Sequence, residues 1–499
     1  MRGAALCALL TPVAILVHGY HPYAEDGGIY LAGIKYLLNP SLYPYNNGFA
    51  TAHLHFSLFA TVVAFLARTT AADIMAILFA LHALSIFLTL FAAFQIARRL
   101  FADQCAALWS STLLAASLTV PVAGTSLVLM DPYVTSRSFA MPCVLFAIAA
   151  SLRLWQAPTR SAVLATTLFL AAALLLHPLS GGYAVVFVLF TGAFHLRKAT
   201  QRNVALATLA SAGVILSAII NVLGRRQLMG YSTVAQTRTY WFLSGWTWYE
   251  WIGLIGPLLI LLWFARRQHT APFEAHFQTQ RGTARAAVFG ALLAITISAL
   301  FAHSHASSYA VARLQPLRYF QIIYALLVIF LGSALSTALA KNNAARGIVC
   351  SLIALGLFSF QHNIYANSTH VELPSATPAN AYEQSFLWIR THTAVTDVVA
   401  LDANYISAPG EDAQNFRAIA ERSTPADFSK DGGIAAIDPA LTAAWQTGMQ
   451  LQQNLNEGVN TENLQKLRQD NIHWIVIPAK GSKSLACPYR NETVAVCNL

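Results

Sequence analysis

Charge is what this 499-residue chain has little of. Asp, Glu, Lys and Arg make up 10% of it, and 56% is hydrophobic. A soluble domain carries about 25% charged residues, so the composition excludes an ordinary soluble enzyme and implies a polytopic membrane protein. Acids are scarcest. As far as Asn363 there are seven: Glu25, Asp26, Asp73, Asp103, Asp131, Glu250 and Glu274. The net charge of +10 comes with no long basic run and no RNA-binding motif, which argues against a nucleic-acid partner. Cysteine is sparse too. Of six, none stands at metal-ligand spacing. Cys7, Cys105, Cys143 and Cys350 lie in or beside apolar stretches and read as small packing residues. Cys487 and Cys497 lie in a polar tail, where they are placed to pair if the tail is exported. No internal repeat is present.

What charge there is divides unevenly. Residues 1–364 hold 22 Lys/Arg against 7 Asp/Glu, and residues 365–499 hold 9 against 14. The basic excess therefore belongs to the membrane part, where it acts as an orientation signal. Apolar runs predict about 11 spans, near 4–18, 74–97, 104–125, 138–154, 161–176, 183–196, 203–223, 249–265, 286–302, 319–340 and 346–363. No small-x-small cleavage site precedes the acidic pair, so the first run reads as a retained helix rather than a signal peptide. The apolar stretch His53–Arg68 is read as lying in the interface. That choice keeps Arg98-Arg99, Arg197-Lys198 and Arg266-Arg267 inside, with fourteen basic residues inside against eight in the outer loops. The N-terminus is then cytoplasmic and the tail extracytoplasmic.

The fold expected is mainly α: a membrane domain over 1–364, a Pro/Ser/Thr linker over 365–382, and a small α/β domain over 383–499. In the tail, Glu383–His392, Asp438–Asn454 and Thr461–Gln469 read as helices. Val395–Asp402 and His473–Pro478 read as strands. About 135 residues suffice for a core of its own.

Unusual polar residues collect in the outer loops. Loop 1 carries Glu25 and Asp26, then Tyr30. Loop 2 carries Asp131 and Arg137, and loop 3 carries His177 before Pro178. Loop 4 carries Arg225, Arg226 and Arg238 beside an aromatic run. Loop 5 carries His303, His305, Arg313 and Arg318. Acids just outside a first span are expensive to keep and read as functional. A carboxylate can take a proton from an acceptor hydroxyl. Arginines can hold a phosphate bidentately without losing their charge. Each has a plainer reading: Asp131 as a helix cap, His177 as loop packing, Arg225-Arg226 as lipid anchors, the aromatics as an interfacial belt. The i, i+2 spacing of His303 and His305 is not diagnostic of a metal.

A short first span, then Glu-Asp-Gly-Gly-Ile-Tyr-Leu-Ala-Gly in an outer loop, a surface helix, and a second span closing on Ala97-Arg98-Arg99-Leu100-Phe101 resemble the GT-C superfamily of membrane glycosyltransferases. The likeness extends to a tail domain opening on Phe386-Leu387-Trp388-Ile389-Arg390. It implies an inverting transfer of a sugar from a polyprenyl-phosphate donor to a glycan, lipid or protein acceptor at a bacterial plasma membrane. It further implies Asp26 or Glu25 as base, and Asp131 as a second acid positioning acceptor or metal. Arg313 and Arg318 would receive the donor phosphate. Tyr30, Arg137, His177, His303 and His305 would line the substrate. Cofactor need is left open, a divalent Mg or Mn included. The chain departs from the superfamily's mannosyltransferase and aminoarabinose-transferase pattern in having Glu before Asp, and the tail lacks the oligosaccharyltransferase Trp-Trp-Asp motif. The rival expectation is a non-catalytic membrane protein, a lipid-sugar carrier or a structural subunit. Polar residues sit in outer loops rather than mid-span, which favours the enzyme.

Overall fold

The computed structural model describes residues 2–499 apart from 197, 226–228, 268–273, 340–341, 408–414, 460 and 482–484. Arg197, Arg226, Lys341, Glu411, Asp412 and Lys483, which entered the charge counts, lie outside the described residues.

The membrane part is inside-out relative to a soluble bundle. In the helix Ala199–Leu223 only Leu206 and Ser217 are buried, while Ile215, Leu216, Ile219, Val222 and Leu223 face outward. In Asn343–Ile364 the buried residues are Arg346, Cys350 and Gln361. Their spacings of four and eleven put them on one helical face. Exposed leucines with inward polar groups cost too much in water and are the stable arrangement in lipid.

The eleven expected runs coincide with helices over all or part of their length, and the count of about 11 spans is not confirmed. Among the described residues eight helices are long and apolar enough to cross a membrane, nine if one bent pair is taken together. Gly3–His18 and Arg160–Leu176 are shorter. The run expected over 104–125 yields only Gln104–Ala116, 13 residues. The chain leaves that helix at Ser117 and turns through Pro121, whose missing N–H cannot continue it. The interfacial stretch is the bent pair: Gly48–His55 and Phe59–Thr70 meet at 100°. Phe59, Ala60, Val63 and Ala64 turn inward while Val62 and Phe65 stay exposed, as an amphipathic surface helix requires.

After Ile364 the chain runs without regular helix to Ala381, where the first tail helix, Ala381–His392, begins. Four strands, β1 (Val399–Ala400), β2 (Trp474–Pro478), β3 (Tyr489–Arg490) and β4 (Val494–Asn498), form one sheet in the order β1-β2-β4-β3. β1 and β2 are parallel, and β4 is antiparallel to β2 and β3. The strand expected over Val395–Asp402 shrinks to two residues, and β3 and β4 were not read from the sequence. Helices Phe416–Ala420 and Lys430–Ile437 were also missed. A disulfide joins Cys487 to Cys497 of β4.

The tail packs against the membrane part. Ala426, Ile434, Ala435 and Trp445 share a core with Phe49, Tyr231, Trp241, Phe242 and Tyr309 from the loops between membrane helices. Tail and loops 1, 4 and 5 therefore lie on one face.

Candidate active site

The helix Glu25–Leu38 opens at the acidic pair. Glu25 adopts φ 50°, a left-handed conformation costly for a residue with a Cβ. That turn sends the two acids to different partners. Asp26 accepts from Arg137 Nη1 at 2.7 Å. Glu25 pairs with Lys430 Nζ of the tail. Gly27 and Gly28 permit the approach of both neighbours. A Cβ on Gly27 would come within 3.0 Å of the Tyr133 ring, and one on Gly28 would overlap Asn415.

Arg137 is the second residue of Ser136–Gln156. At the start of this helix Thr135 N donates to Ser138 Oγ at 3.0 Å, and Ser138 N donates to the Thr135 carbonyl at 3.1 Å. The guanidinium also donates to Asp131 Oδ2 from Nε at 3.3 Å and from Nη2 at 3.1 Å. One cation therefore clasps two carboxylates from loops 1 and 2. Asp131 is the more buried, its side chain 9% exposed against 32% for Asp26. Burial pushes both acids up. For Asp26, Arg137, Lys430 and His53 outweigh it and hold the carboxyl well below the usual range. For Asp131, burial, helped by the nearby Asp26 charge, prevails over Arg137, and the carboxyl is raised. The environment thus separates two like acids into an ionised one at the open side and a more readily protonated one behind it.

Around this clasp the structure gathers several expected residues. Tyr30 Oη lies 2.6 Å from Ser136 Oγ, and its ring stacks on His53 at 4.5 Å. His177 proves to be an N-cap rather than a mid-loop residue. Its Nδ1 accepts from Ser180 N, and Pro178 opens the helix Pro178–His195. Burial, then Arg318, Arg137 and His53, push its imidazole well below its usual value, with Asp26 opposing. So loops 1, 2, 3 and 5 converge within electrostatic range. Arg318 donates from Nε to Gln315, itself in a left-handed conformation at φ 49°. Arg318 Nη1 is buried with no hydrogen-bond partner among the described residues. A buried guanidinium nitrogen left unpaired is costly and marks where an anion would be welcome.

Other expected residues are not brought here. Arg313 Nη2 donates to Ile437 O at 2.6 Å and so holds the tail. His303 and His305 are exposed, and among the described contacts none joins them to the clasp; His303 Nε2 meets Leu300 O. Among the described residues no three His, Cys, Asp or Glu side chains come close enough to hold a metal ion. Sequence reading passed over His53 and Lys430. His53 lay in a stretch assigned by its hydropathy alone. Lys430 stands 405 residues from Glu25, and nothing in its local sequence marks it.

No family model matches the chain, and no curated protein matches it. Among solved structures it is similar to the apo form of the oligosaccharyltransferase of Archaeoglobus fulgidus. Identity is 12%, with 95% of this chain and 69% of that one covered and a TM-score of 0.47.

Proposed function

We propose that the protein is a membrane glycosyltransferase that moves a sugar, with inversion, from a polyprenyl-phosphate donor to an acceptor on the extracytoplasmic side of a bacterial plasma membrane. The observation that carries this reading is the Asp26–Arg137–Asp131 clasp with Arg318, whose buried Nη1 has no hydrogen-bond partner among the described residues, in its electrostatic range. The domain division at 364 and 383, with the N-terminus cytoplasmic, is part of the same proposal.

In this scheme Arg318 takes the donor phosphate, and Tyr30, His53 and His177 wall the sugar. Asp26 accepts the hydrogen bond of the attacking hydroxyl. A carboxylate held this low is a weak base at rest, which suits a glycosyl transfer through an oxocarbenium-like transition state. There the hydroxyl turns acidic only as the bond forms. Asp131 keeps Arg137 oriented. Arg313 is reassigned to anchoring the tail, and His303 and His305 have no part.

The test is transfer by purified protein in proteoliposomes from a panel of polyprenyl-phosphate sugars. Asp26→Asn keeps size and removes the proton acceptor, so transfer should fall about 10²–10⁴-fold with the protein still folded. Unchanged transfer in that variant, or none from any donor by the wild type, would favour the carrier or subunit reading.

A further inference from the structure

Arg153 lies sixteen residues along the Ser136–Gln156 helix from Arg137, roughly 24 Å away at 1.5 Å per residue, so it stands at the opposite membrane face. There a cavity of about 140 Å³ opens between Ser136–Gln156, Ile74–Leu100 and Arg160–Leu176. Arg99 and Arg153 line it together with Phe146, Phe169, Ala149 and Ala162. Phe146 and Phe169 stack at 5.1 Å and make a continuous apolar wall.

Arginines at helix C-termini are commonplace, because they offset the negative end of the dipole. These two do more than that. Arg153 is exposed and Arg99 half-buried; neither guanidinium has a carboxylate or hydrogen-bond acceptor among the described residues, and Arg99 faces the like charges of Arg153 and Arg98. The Arg99 carbonyl accepts from Gln156 and His276, which fixes its backbone but leaves the side chain unpaired. The helix Arg160–Leu176 begins at this cavity, its third residue Ala162 on the lining. Its positive end therefore adds to the two cations. Two guanidiniums and a helix N-terminus at one end of a cavity, with stacked phenyl rings at the other, match a phosphate attached to a hydrocarbon chain.

We propose that this cavity is a second lipid site, which holds the headgroup of an anionic phospholipid in the leaflet opposite the acid clasp, with its acyl chain along Phe146 and Phe169. Basic pockets between spans bind such headgroups. A zwitterionic lipid would bring its own ammonium against Arg99 and Arg153, so the site discriminates by headgroup charge.

The test uses the full-length protein in detergent, titrated with phosphatidylglycerol or with phosphatidylcholine of the same acyl chains, and read by native mass spectrometry. Phosphatidylglycerol should bind on the order of tenfold more tightly. R99Q/R153Q should abolish most of that preference, and R99K/R153K should retain it. R98Q, at a residue off the cavity lining, should lower it less than R153Q does. Should the glutamine pair fail to fold, R153Q alone must still lower the preference. Equal binding of the two lipids, or a preference that survives R99Q/R153Q, overturns the proposal. So does inorganic phosphate competing as well as phosphatidylglycerol, since that outcome makes the site one for a free anion.

Discussion

Asp26 has the Arg137 guanidinium at 2.7 Å, while Glu25, one residue earlier, pairs with Lys430 of the tail. Removing Arg137 would leave two carboxylates facing each other in a part-buried site. Breaking a buried pair from one side costs about 3–5 kcal/mol, so the clasp is structural as well as chemical. Glu25 is nearly a third exposed, and its pair with Lys430 contributes little to global stability. Its work is local: it holds the tail against loop 1. Glu25→Gln should therefore reduce transfer less than about tenfold, against the 10²–10⁴ expected for Asp26→Asn. Glu25→Gln combined with Lys430→Gln should be no worse than either alone, because both remove one contact. A larger loss from Glu25→Gln than from Asp26→Asn, measured in the same transfer assay, would exchange the two roles. The acids themselves were legible, since carboxylates are rare in so apolar a chain. Their division of labour was not, because it depends on the φ of one residue.

Elements meet at a second polar cluster, built by the segment after the first helix and by the stretch that follows Ile364. Tyr20 N donates to His370 O at 3.0 Å, Glu372 N to Tyr20 O at 2.9 Å, and His21 N to Pro132 O at 2.8 Å. Backbone bonds thus tie this stretch to loop 1, and loop 1 to the residue after Asp131. His21 Nδ1 and Glu372 Oε1 lie 2.9 Å apart. Burial raises the Glu372 carboxyl from 4.5 to about 8 and lowers His21 from 6.5 to about 3. Folded, the pair keeps one proton between about pH 3 and 8. Unfolded, it holds two below 4.5, one between 4.5 and 6.5, and none above 6.5. Stability is therefore flat from pH 4.5 to 6.5. It falls from 6.5 to 8, where the folded pair still holds a proton the unfolded chain has released, and it falls from 4.5 to 3, where the unfolded chain binds one more. Melting temperatures of the wild type should decline by a few degrees from pH 6.5 to 8. Glu372→Gln, which does not titrate, should flatten that decline. An equal decline in the variant would place the pH response elsewhere. Helix identity was legible from apolar runs. Helix ends were not: His177 read as a loop residue because its capping of Pro178–His195 depends on its own rotamer.

At the scale of the whole molecule the tail has two clusters of its own, one around Phe386, Phe416 and Val496 and one around Leu455, Ile475 and Ala495. A third is shared with the membrane loops through Ala426, Ile434 and Trp445. A fragment beginning at Glu383 should keep its sheet but expose that third face. It should bind a hydrophobic dye more strongly than the full-length protein and self-associate in gel filtration. A fragment that is monomeric and binds no dye would mean that the shared core is peripheral to the tail's stability. The expectation of a tail that folds alone rests on its length, acidic balance and strand–helix pattern. None of these reports which apolar residues face another part of the chain.

By itself the sequence determined the phase each segment occupies. A chain with this little charge must place its helices in lipid, and its few acids must stand in loops or pair, because transfer energies depend on residue type alone. That is why the helical runs and the positions of Glu25, Asp26 and Asp131 could be read directly. Tertiary structure decided which groups meet. Arg137 finds Asp26 across 111 residues and Lys430 finds Glu25 across 405. Arg313 is diverted to the tail, while Arg318 Nη1 finds no hydrogen-bond partner among the described residues. These outcomes depend on directional contacts between distant segments. Such contacts leave no periodicity in the chain and exist only once the helices have packed.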